Sequence, residues 1–401
     1  MKNNMKTVVL AYSGGLDTSV IIPWIKEKYQ LEVIAFVANI GQKNQDFSKV
    51  KENALKSGAK ECIVVDLQEK FVKKYIYPLL QIGSMYENNY LLGTAISRPI
   101  IAKTQTEIAL KKGAFALCHG ATGKGNDQVR FESAYAALAP NLQIIAPWRI
   151  WNFNSRQDLL QYIHKKNISI EVTLEKMYSR DENIFHLSTE GGVLENPWNA
   201  SKPDCWEWIN ELNNTPDKPE EITLHINQGI ITHINEKKVS ILQSLSILNK
   251  IGSKHGIGRI DIVENRLIGI KSRGCYETPG GTIIYTVLRE LEQLVLDKES
   301  TKWKKQISLE MAYVIYEGRW FTPIRISLQN AISIYKKLLT GIVVLNLYKG
   351  NIIVLKKQSC NSLYSQEYAT FEKDKIYNHS DASGFIKLFS LSSKIRALYK
   401  K

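Results

Sequence analysis

Residues 7–19 read Thr7-Val8-Val9-Leu10-Ala11-Tyr12-Ser13-Gly14-Gly15-Leu16-Asp17-Thr18-Ser19. Thr7–Tyr12 is an apolar, partly β-branched run with the length of a buried strand. The seven residues after it carry two adjacent glycines and three hydroxyls. The glycines let backbone approach an anion closely, and Ser13, Thr18 and Ser19 add donors. The helix that opens here contributes free N–H groups and a positive dipole end. A plain glycine turn with a helix cap needs only part of this string. The whole string directly after a strand points to a phosphate loop, because parallel sheets bind ligands outside the carboxyl ends of their strands. Asp17 would repel a bare phosphate, so it suits capping the helix or holding a metal-bound water. Pro23 falls past the first turn, removes the bond to the Ser19 carbonyl and predicts a kink.

Outward from this segment, strands and helices alternate. Leu31–Val37, Cys62–Asp66 and Phe115–Cys118 read as further buried strands, with Ile144–Ala146 a shorter fifth. Between them, Asp46 caps a helix over Phe47–Ser57 that Gly58 ends. Pro99, at a first turn, opens Ile100–Lys112, which Gly113 ends. Asp127–Leu138 and Ser155–Lys165 also read as helices. The expected class is α/β, with a doubly wound, mainly parallel sheet. From about Asn167 to Asp217 the chain reads as irregular. Beyond it, Ile222–His233 reads as a hairpin around Asn227-Gln228-Gly229 and Ser240–Ile251 as a helix with Gly252 after it. Thr278-Pro279 starts a long helix to about Asp297, and Glu310–Glu317 is a shorter one. Tyr348–Asn351 joins two strand-like runs, Ile342–Leu347 and Ile352–Leu355. This second region is expected to be α+β. Ser392–Lys400 reads as a C-terminal helix with an apolar stripe.

The 401 residues correspond to two or three domains at about 150 residues each. The longest apolar runs, such as Val33–Ala38, fall far short of the roughly 18 residues of a membrane span. The N-terminal apolar stretch is too short for a secretory signal, which makes the cytoplasm the expected compartment. Cys62, Cys118, Cys205, Cys275 and Cys360 are odd in number and widely spaced. With no C-x-x-C and no H-E-x-x-H they read as reduced thiols rather than a disulfide scaffold or a zinc site. The net charge of +14 is spread over isolated lysines and pairs such as Lys73-Lys74. No run of five like charges marks a nucleic-acid surface, so neither nucleic acid nor membrane is an expected partner.

A second glycine cluster, Gly120-Ala121-Thr122-Gly123-Lys124-Gly125-Asn126-Asp127, follows the Phe115–Cys118 strand. It lacks the Walker spacing and the G-x-G-x-x-G pattern. It offers a hydroxyl, a carboxamide, a carboxylate and a cation, and runs into a helix carrying Arg130.

The Ser13–Ser19 string resembles the S-G-G-x-D-[ST]-S pyrophosphate loop of N-type ATP pyrophosphatases. That likeness implies an adenine nucleotide alpha hydrolase-like fold and ATP split between its α- and β-phosphates. Further segments make the resemblance narrower. They are Ala38–Gln42, Tyr90–Thr94, His119–Glu132, Ala146–Arg149, Asp181-Glu182-Asn183, Leu194–Pro197, Lys254–Arg266 and Lys271–Gly280. In that order they are similar to the argininosuccinate synthase family. The last hundred residues resemble it loosely, through Ser362-Leu363-Tyr364 and Asp381–Phe385.

This resemblance implies ligation of citrulline to aspartate in arginine biosynthesis, with ATP and Mg²⁺ as reactants, no prosthetic group, and AMP and pyrophosphate as products. It implies an ATP site at Ala11, Tyr12, Ser13, Gly14, Gly15, Leu16, Asp17, Thr18, Ser19, Ala38 and Gly120. Thr122, Asn126 and Asp127 would hold aspartate. Tyr90, Asn126, Arg130, Ser179, Ser188, Glu264 and Tyr276 would hold citrulline. No side chain is assigned to a metal. The implied layout is a nucleotide-binding domain at 1–168, a synthetase domain at 169–375 and an oligomerisation arm at 376–401 in a homotetramer. One position departs from the family: Ala95 stands where a citrulline-contacting Ser is frequent.

The residue types suit these roles. Arg130 offers a bidentate fork to a substrate carboxylate, and Asp127 and Glu264 offer acceptors to ammonium groups. Asp127 is the expected group for orienting the aspartate amine. The alternative is another N-type ATP pyrophosphatase, such as a tRNA-modifying enzyme. That branch needs reactive cysteines near the nucleotide loop, where this chain has Cys118 alone.

Overall fold

The computed structural model describes residues 6–43, 45–123, 125–153, 155–168, 178–370, 372, 376 and 378–400. Five strands form one parallel sheet: β1 (Thr7–Ala11), β2 (Glu32–Asn39), β3 (Glu61–Asp66), β4 (Ala116–Cys118) and β5 (Gln143–Ile145). Their order is β3-β2-β1-β4-β5, so the winding reverses between β1 and β4. A crevice opens at such a reversal. The Ser13 and Gly120 loops, which leave β1 and β4, flank it.

Side chains alternate across a strand, and both faces of this sheet are covered. Val8, Leu10, Val33, Ala35 and Val37 pack with Val20 and Ile21 of α1 (Leu16–Tyr29). Val9, Ile34 and Phe36 belong to a second core. The intervening helices are α2 (Phe47–Lys56), α3 (Gln68–Phe71), a π turn at Val72–Ile76 and α4 (Tyr77–Ile82). They are followed by α5 (Gly93–Lys111), α6 (Asp127–Leu138) and α7 (Arg156–Lys165).

Two helix starts differ from expectation. The N-cap of α1 is Gly15, with no side-chain cap, so Asp17 does not cap it. Pro23 lies inside α1, which remains one element to Tyr29. Helix α5 begins at Gly93, two turns before the expected start, and takes Pro99 into its interior. Gly93, Ala95, Ile96 and Ser97 are all buried there. Their packing outweighs the local cost of proline, which is roughly 3 kcal/mol.

The remainder is α+β, as expected. β8 (Glu220–Asn227), β9 (Ile230–Ile234) and β10 (Lys237–Lys238) join β13 (Gly341–Tyr348) and β14 (Asn351–Gln358) in a sheet ordered β10-β9-β8-β13-β14. Both expected hairpins are present. Another antiparallel sheet, ordered β11-β12-β7-β6, contains β6 (Ser179–Asn183), β7 (His186–Glu190), β11 (Arg259–Asn265) and β12 (Lys271–Glu277). The first two fall in the stretch expected to be irregular. Their polar composition hides the alternation of a strand, because several of these polar side chains line a cavity rather than bulk solvent.

Helix α8 (Ile241–Lys254) starts in a Ser240–Gln243 capping box and runs through Gly252. α9 (Pro279–Val295) ends close to its expected limit. The short helix expected at Glu310–Glu317 is the last part of α10 (Lys298–Tyr316), capped by Asp297. α11 (Pro323–Leu338) and α12 (Gln366–Ala369) were not expected. The C-terminal segment is two helices, α13 (Asp381–Phe389) and α14 (Leu391–Leu398). Phe385, Leu388, Phe389, Leu398 and Tyr399 are exposed on them. One apolar core runs from Val9 and Phe36 of the parallel sheet through Ile96 and Ile100 to Leu248, Leu288 and Leu345. Through Ile184 and Phe185 between β6 and β7, Ile260 and Ile262 of β11 and Tyr276 of β12, that shared core holds the second antiparallel sheet against the crevice.

Candidate active site

A cavity of about 460 Å³ lies between the crevice of the parallel sheet and the β11-β12-β7-β6 sheet. At one end it is lined by Ala11, Tyr12, Ser13, Asp17, Thr18, Ala38 and Gly120. Gly14 has φ +82°, and a Cβ there would meet the Val50 side chain at 2.9 Å. Glycine is therefore required for the loop to turn. The Ser13 and Thr18 hydroxyls are 3.1 Å apart, and the Gly15 N–H points back to Ser13 Oγ at 3.3 Å. Burial raises the Asp17 carboxyl above its ordinary value, against the opposing charge of Arg156. Four expected members of this end lie outside the lining. Leu16 packs in the core behind the loop. Ser19 is buried and hydrogen-bonded to the Tyr12 hydroxyl at 2.8 Å. Gly14 and Gly15 shape the turn.

The other end is lined by every residue expected to hold an amino acid: Tyr90, Thr122, Asn126, Asp127, Arg130, Ser179, Ser188, Glu264 and Tyr276. Strand register assembles part of it. Ser188 of β7 lies opposite Tyr276 of β12 and Asp181 of β6, and Ser179 lies opposite Glu190.

Charges at this end are paired, with Glu264 Oε2 left over. Asp127 Oδ2 accepts from Arg98 Nη2 at 2.8 Å, and its Oδ1 accepts from Arg130 Nη1 at 2.9 Å. Burial alone would raise the Asp127 carboxyl, but the two guanidiniums outweigh it and hold it well below its usual range. Arg98 also pairs with Asp181 at 2.5 Å. The fork expected of Arg130 is partly committed: its Nε donates to the Tyr316 carbonyl at 2.9 Å. Asn126 donates to the Tyr316 hydroxyl at 2.9 Å and accepts from the Leu267 N–H at 3.0 Å. Glu264 accepts from the Tyr316 hydroxyl through Oε1 at 2.9 Å, while its buried Oε2 has no protein partner. Burial pushes its carboxyl up to about 7, against the Tyr316 hydrogen bond, with Glu190 adding to the rise.

Ala95 is fully buried in the core and outside the lining; Thr94 beside it lines the cavity. Residue reasoning missed Arg98, Glu190, Arg266 and Tyr316. Arg98 carried one signal, a lone cation in an otherwise apolar helical turn. Tyr316 carried none. Lys124, in the second glycine cluster, lies outside the described residues. Among the described residues, no group of three or more His, Cys, Asp or Glu is placed to hold a metal. Cys118 is fully buried, and burial raises its thiol well above the ordinary value. It is not the reactive thiolate that a tRNA-modifying enzyme would need.

Two family descriptions match the chain. "Arginosuccinate synthase N-terminal HUP domain" covers residues 7–169, and "Arginosuccinate synthase C-terminal domain" covers residues 178–396. Similar full-length relatives carry the name argininosuccinate synthase. The protein of Buchnera aphidicola subsp. Schizaphis graminum is 62% identical over 398 residues, spanning 99% of each chain. That of Buchnera aphidicola subsp. Acyrthosiphon pisum is 61% identical over 396 residues, spanning 99% of this chain and 98% of its own. That of Serratia proteamaculans is 59% identical over 395 residues, spanning 98% and 97%. With the Ser13–Ser19 loop and the paired charges facing one cavity, and with both family domains matched in order, the chain belongs to the argininosuccinate synthase family.

Proposed function

We propose that this cavity joins citrulline and aspartate at the expense of ATP, releasing AMP and pyrophosphate, as an enzyme of arginine biosynthesis. The observation that carries the reading is the single cavity with a phosphate loop at one end and paired acidic and basic side chains at the other. ATP takes the Ser13–Ser19 loop, with Ala38 and Gly120 beside the nucleotide. Thr122, Asn126 and Asp127 hold aspartate. Tyr90, Asn126, Arg130, Ser179, Ser188, Glu264 and Tyr276 hold citrulline. The ureido oxygen of citrulline attacks the α-phosphate of ATP and pyrophosphate leaves. The aspartate amine then attacks the activated ureido carbon and AMP leaves.

The protein contributes position and charge. Asp127, kept ionised by Arg98 and Arg130, orients the amine. Glu264 Oε2 is a bare acceptor suited to the citrulline ammonium. Magnesium accompanying the nucleotide would offset charge on the leaving pyrophosphate, and Asp17 is the carboxylate nearest the loop to meet its water shell. No prosthetic group is required. ATP–pyrophosphate exchange tests the reading: it should depend on citrulline, and exchange indifferent to citrulline would refute it.

For these tasks we assign residues 1–168 to the nucleotide, 169–375 to the amino acids and 376–401 to assembly. The exposed apolar residues of α13 and α14 support an arm covered by a neighbouring subunit of a homotetramer. Deleting residues after Phe389 should give smaller particles by light scattering; an unchanged mass would refute the arm. We place the enzyme in the cytoplasm. No helix among the described residues is long and apolar enough to cross a membrane.

A further inference from the structure

Three residues given above to citrulline are held by a fourth that is assigned to no substrate. Tyr316 is the last residue of α10 and is 1% exposed. Its hydroxyl accepts from Asn126 Nδ2 at 2.9 Å and shares its one proton between Glu264 Oε1 at 2.9 Å and the Asn265 carbonyl at 3.0 Å. Its carbonyl accepts from Arg130 Nε at 2.9 Å. Its ring stacks on Tyr86, centroids 3.7 Å apart and planes 4° from parallel. The Arg130 guanidinium lies 4.9 Å from the same ring. Two residues later, Gly318 sits at φ +76°, and a Cβ there would come within 2.6 Å of Arg130 Cα. The end of α10 can lie against α6 only because this residue is glycine.

We propose that Tyr316 is a positioning residue for citrulline: it fixes the Asn126 carboxamide, the Arg130 guanidinium and the Glu264 carboxylate in one arrangement. The proposal rests on the assignment of those three side chains to citrulline. Tyr316 brings α6 and β11, which lie more than a hundred residues apart, into one hydrogen-bonded unit. It occupies Glu264 Oε1 and leaves the buried Oε2 without a protein partner. Its Asn126 contact spends one amide hydrogen and leaves the other for substrate.

Tyr316→Phe keeps the ring and the carbonyl and removes only the hydroxyl. A hydrogen bond to a charged group is worth enough that its loss should raise the citrulline KM about 10- to 100-fold. The ATP KM should stay within about twofold, because the phosphate loop is untouched. The pH profile supplies a second readout. The Tyr316 bond favours the ionised carboxylate of Glu264. Without it, Glu264 holds its proton to higher pH, so the acid limb of kcat/KM for citrulline should move upward. The other groups facing Glu264 are Arg130, Glu190, Arg266, Tyr86, Tyr90 and Tyr276, and all are unchanged in the variant. A hydroxyl that merely stabilised the fold would leave the position of that limb alone.

Adding Tyr316→Phe to Glu264→Ala should cost citrulline less than the sum of the two single losses, since coupled residues are not additive, with the remainder belonging to the Asn126 bond. Gly318→Ala, which strains the turn after α10 and pushes it away from α6, should also lose citrulline selectively, with a cost in stability that Tyr316→Phe does not carry. An unchanged citrulline KM with an unmoved acid limb overturns the proposal, as do fully additive losses. Absence of citrulline-dependent exchange in the unaltered protein would instead overturn the citrulline assignment itself.

Discussion

The two ends of the cavity are built in opposite ways. The end proposed for the nucleotide comes mostly from one unbroken stretch, Ser13–Ser19, and offers backbone and hydroxyls. The end proposed for the amino acids draws on α5, α6, β6, β7, β11, β12 and the end of α10, and offers interlocked charges. A local site is robust to changes elsewhere, because the turn and helix start form from their own residues. A convergent site depends on packing, so the loss of one partner leaves others buried and unmatched. The first kind should fail in chemistry with the fold intact. The second should fail in substrate affinity and stability together.

The largest expected effect tests the local end. Asp17→Ala should lower kcat for pyrophosphate release by about 100-fold or more, the scale of removing a charged group from a transferring centre. Its melting temperature should hardly change, since Asp17 makes no cap. Normal turnover would remove the loop from the chemistry.

Next comes the charged unit. Arg98→Met removes a partner from Asp127 and Asp181 and should cost about 2–3 kcal/mol in denaturant unfolding at pH 7. The figure is kept low because the Asp127 side chain is 27% exposed and Arg130 remains beside it. The aspartate KM should rise with it. The Asp127 carboxyl is held below its unfolded value. Its contribution is therefore full above about pH 4 and disappears as pH falls through the native value. The gap between variant and parent should narrow in acid; a gap constant with pH would mean the pair contributes no charge stabilisation.

Glu264→Gln should separate stability from affinity. The native carboxyl lies near 7 rather than its ordinary 4.5. Its ionisation therefore destabilises the free protein, not at all near pH 4 and fully above pH 7. The interval corresponds to about 3 kcal/mol at 1.36 kcal/mol per pH unit. The variant should be more stable than its parent by up to that amount at pH 8, equal to it at pH 4, and poor in citrulline binding. Equal stability at both pH values would show that Glu264 titrates normally.

The smallest effect belongs to Ala95→Ser. A hydroxyl added to a full core site should cost about 1 kcal/mol, with the citrulline KM within twofold of the parent. A several-fold fall in that KM would put position 95 on the cavity wall.

The five strands of the parallel sheet and the glycine turn after β1 were legible because each depends on adjacent residues. So were the two hairpins, marked by Asn227-Gln228-Gly229 and Tyr348–Asn351. The start of α5 was not, because proline reads locally as a boundary and only burial of Gly93–Ser97 overrides it. β6 and β7 were not, because their polar side chains serve a cavity invisible to local pattern. The site residues expected from the family resemblance reach the cavity except Leu16, Ser19 and the two loop glycines, which build the turn from behind.

The sequence by itself determined the alternation of strand and helix, the glycine turn after β1 and the hydroxyls it carries. Backbone freedom, hydroxyl spacing and hydrophobic period act over a few residues. Only the tertiary structure decided that Arg98 clamps Asp127, that Ala95 faces the core, and that Tyr316 ties Asn126 to Glu264. Those contacts join residues 29, 190 and 52 positions apart. Such meetings are set by sheet register and helix packing, which sum many weak apolar contacts over the whole chain and leave no mark at any one position.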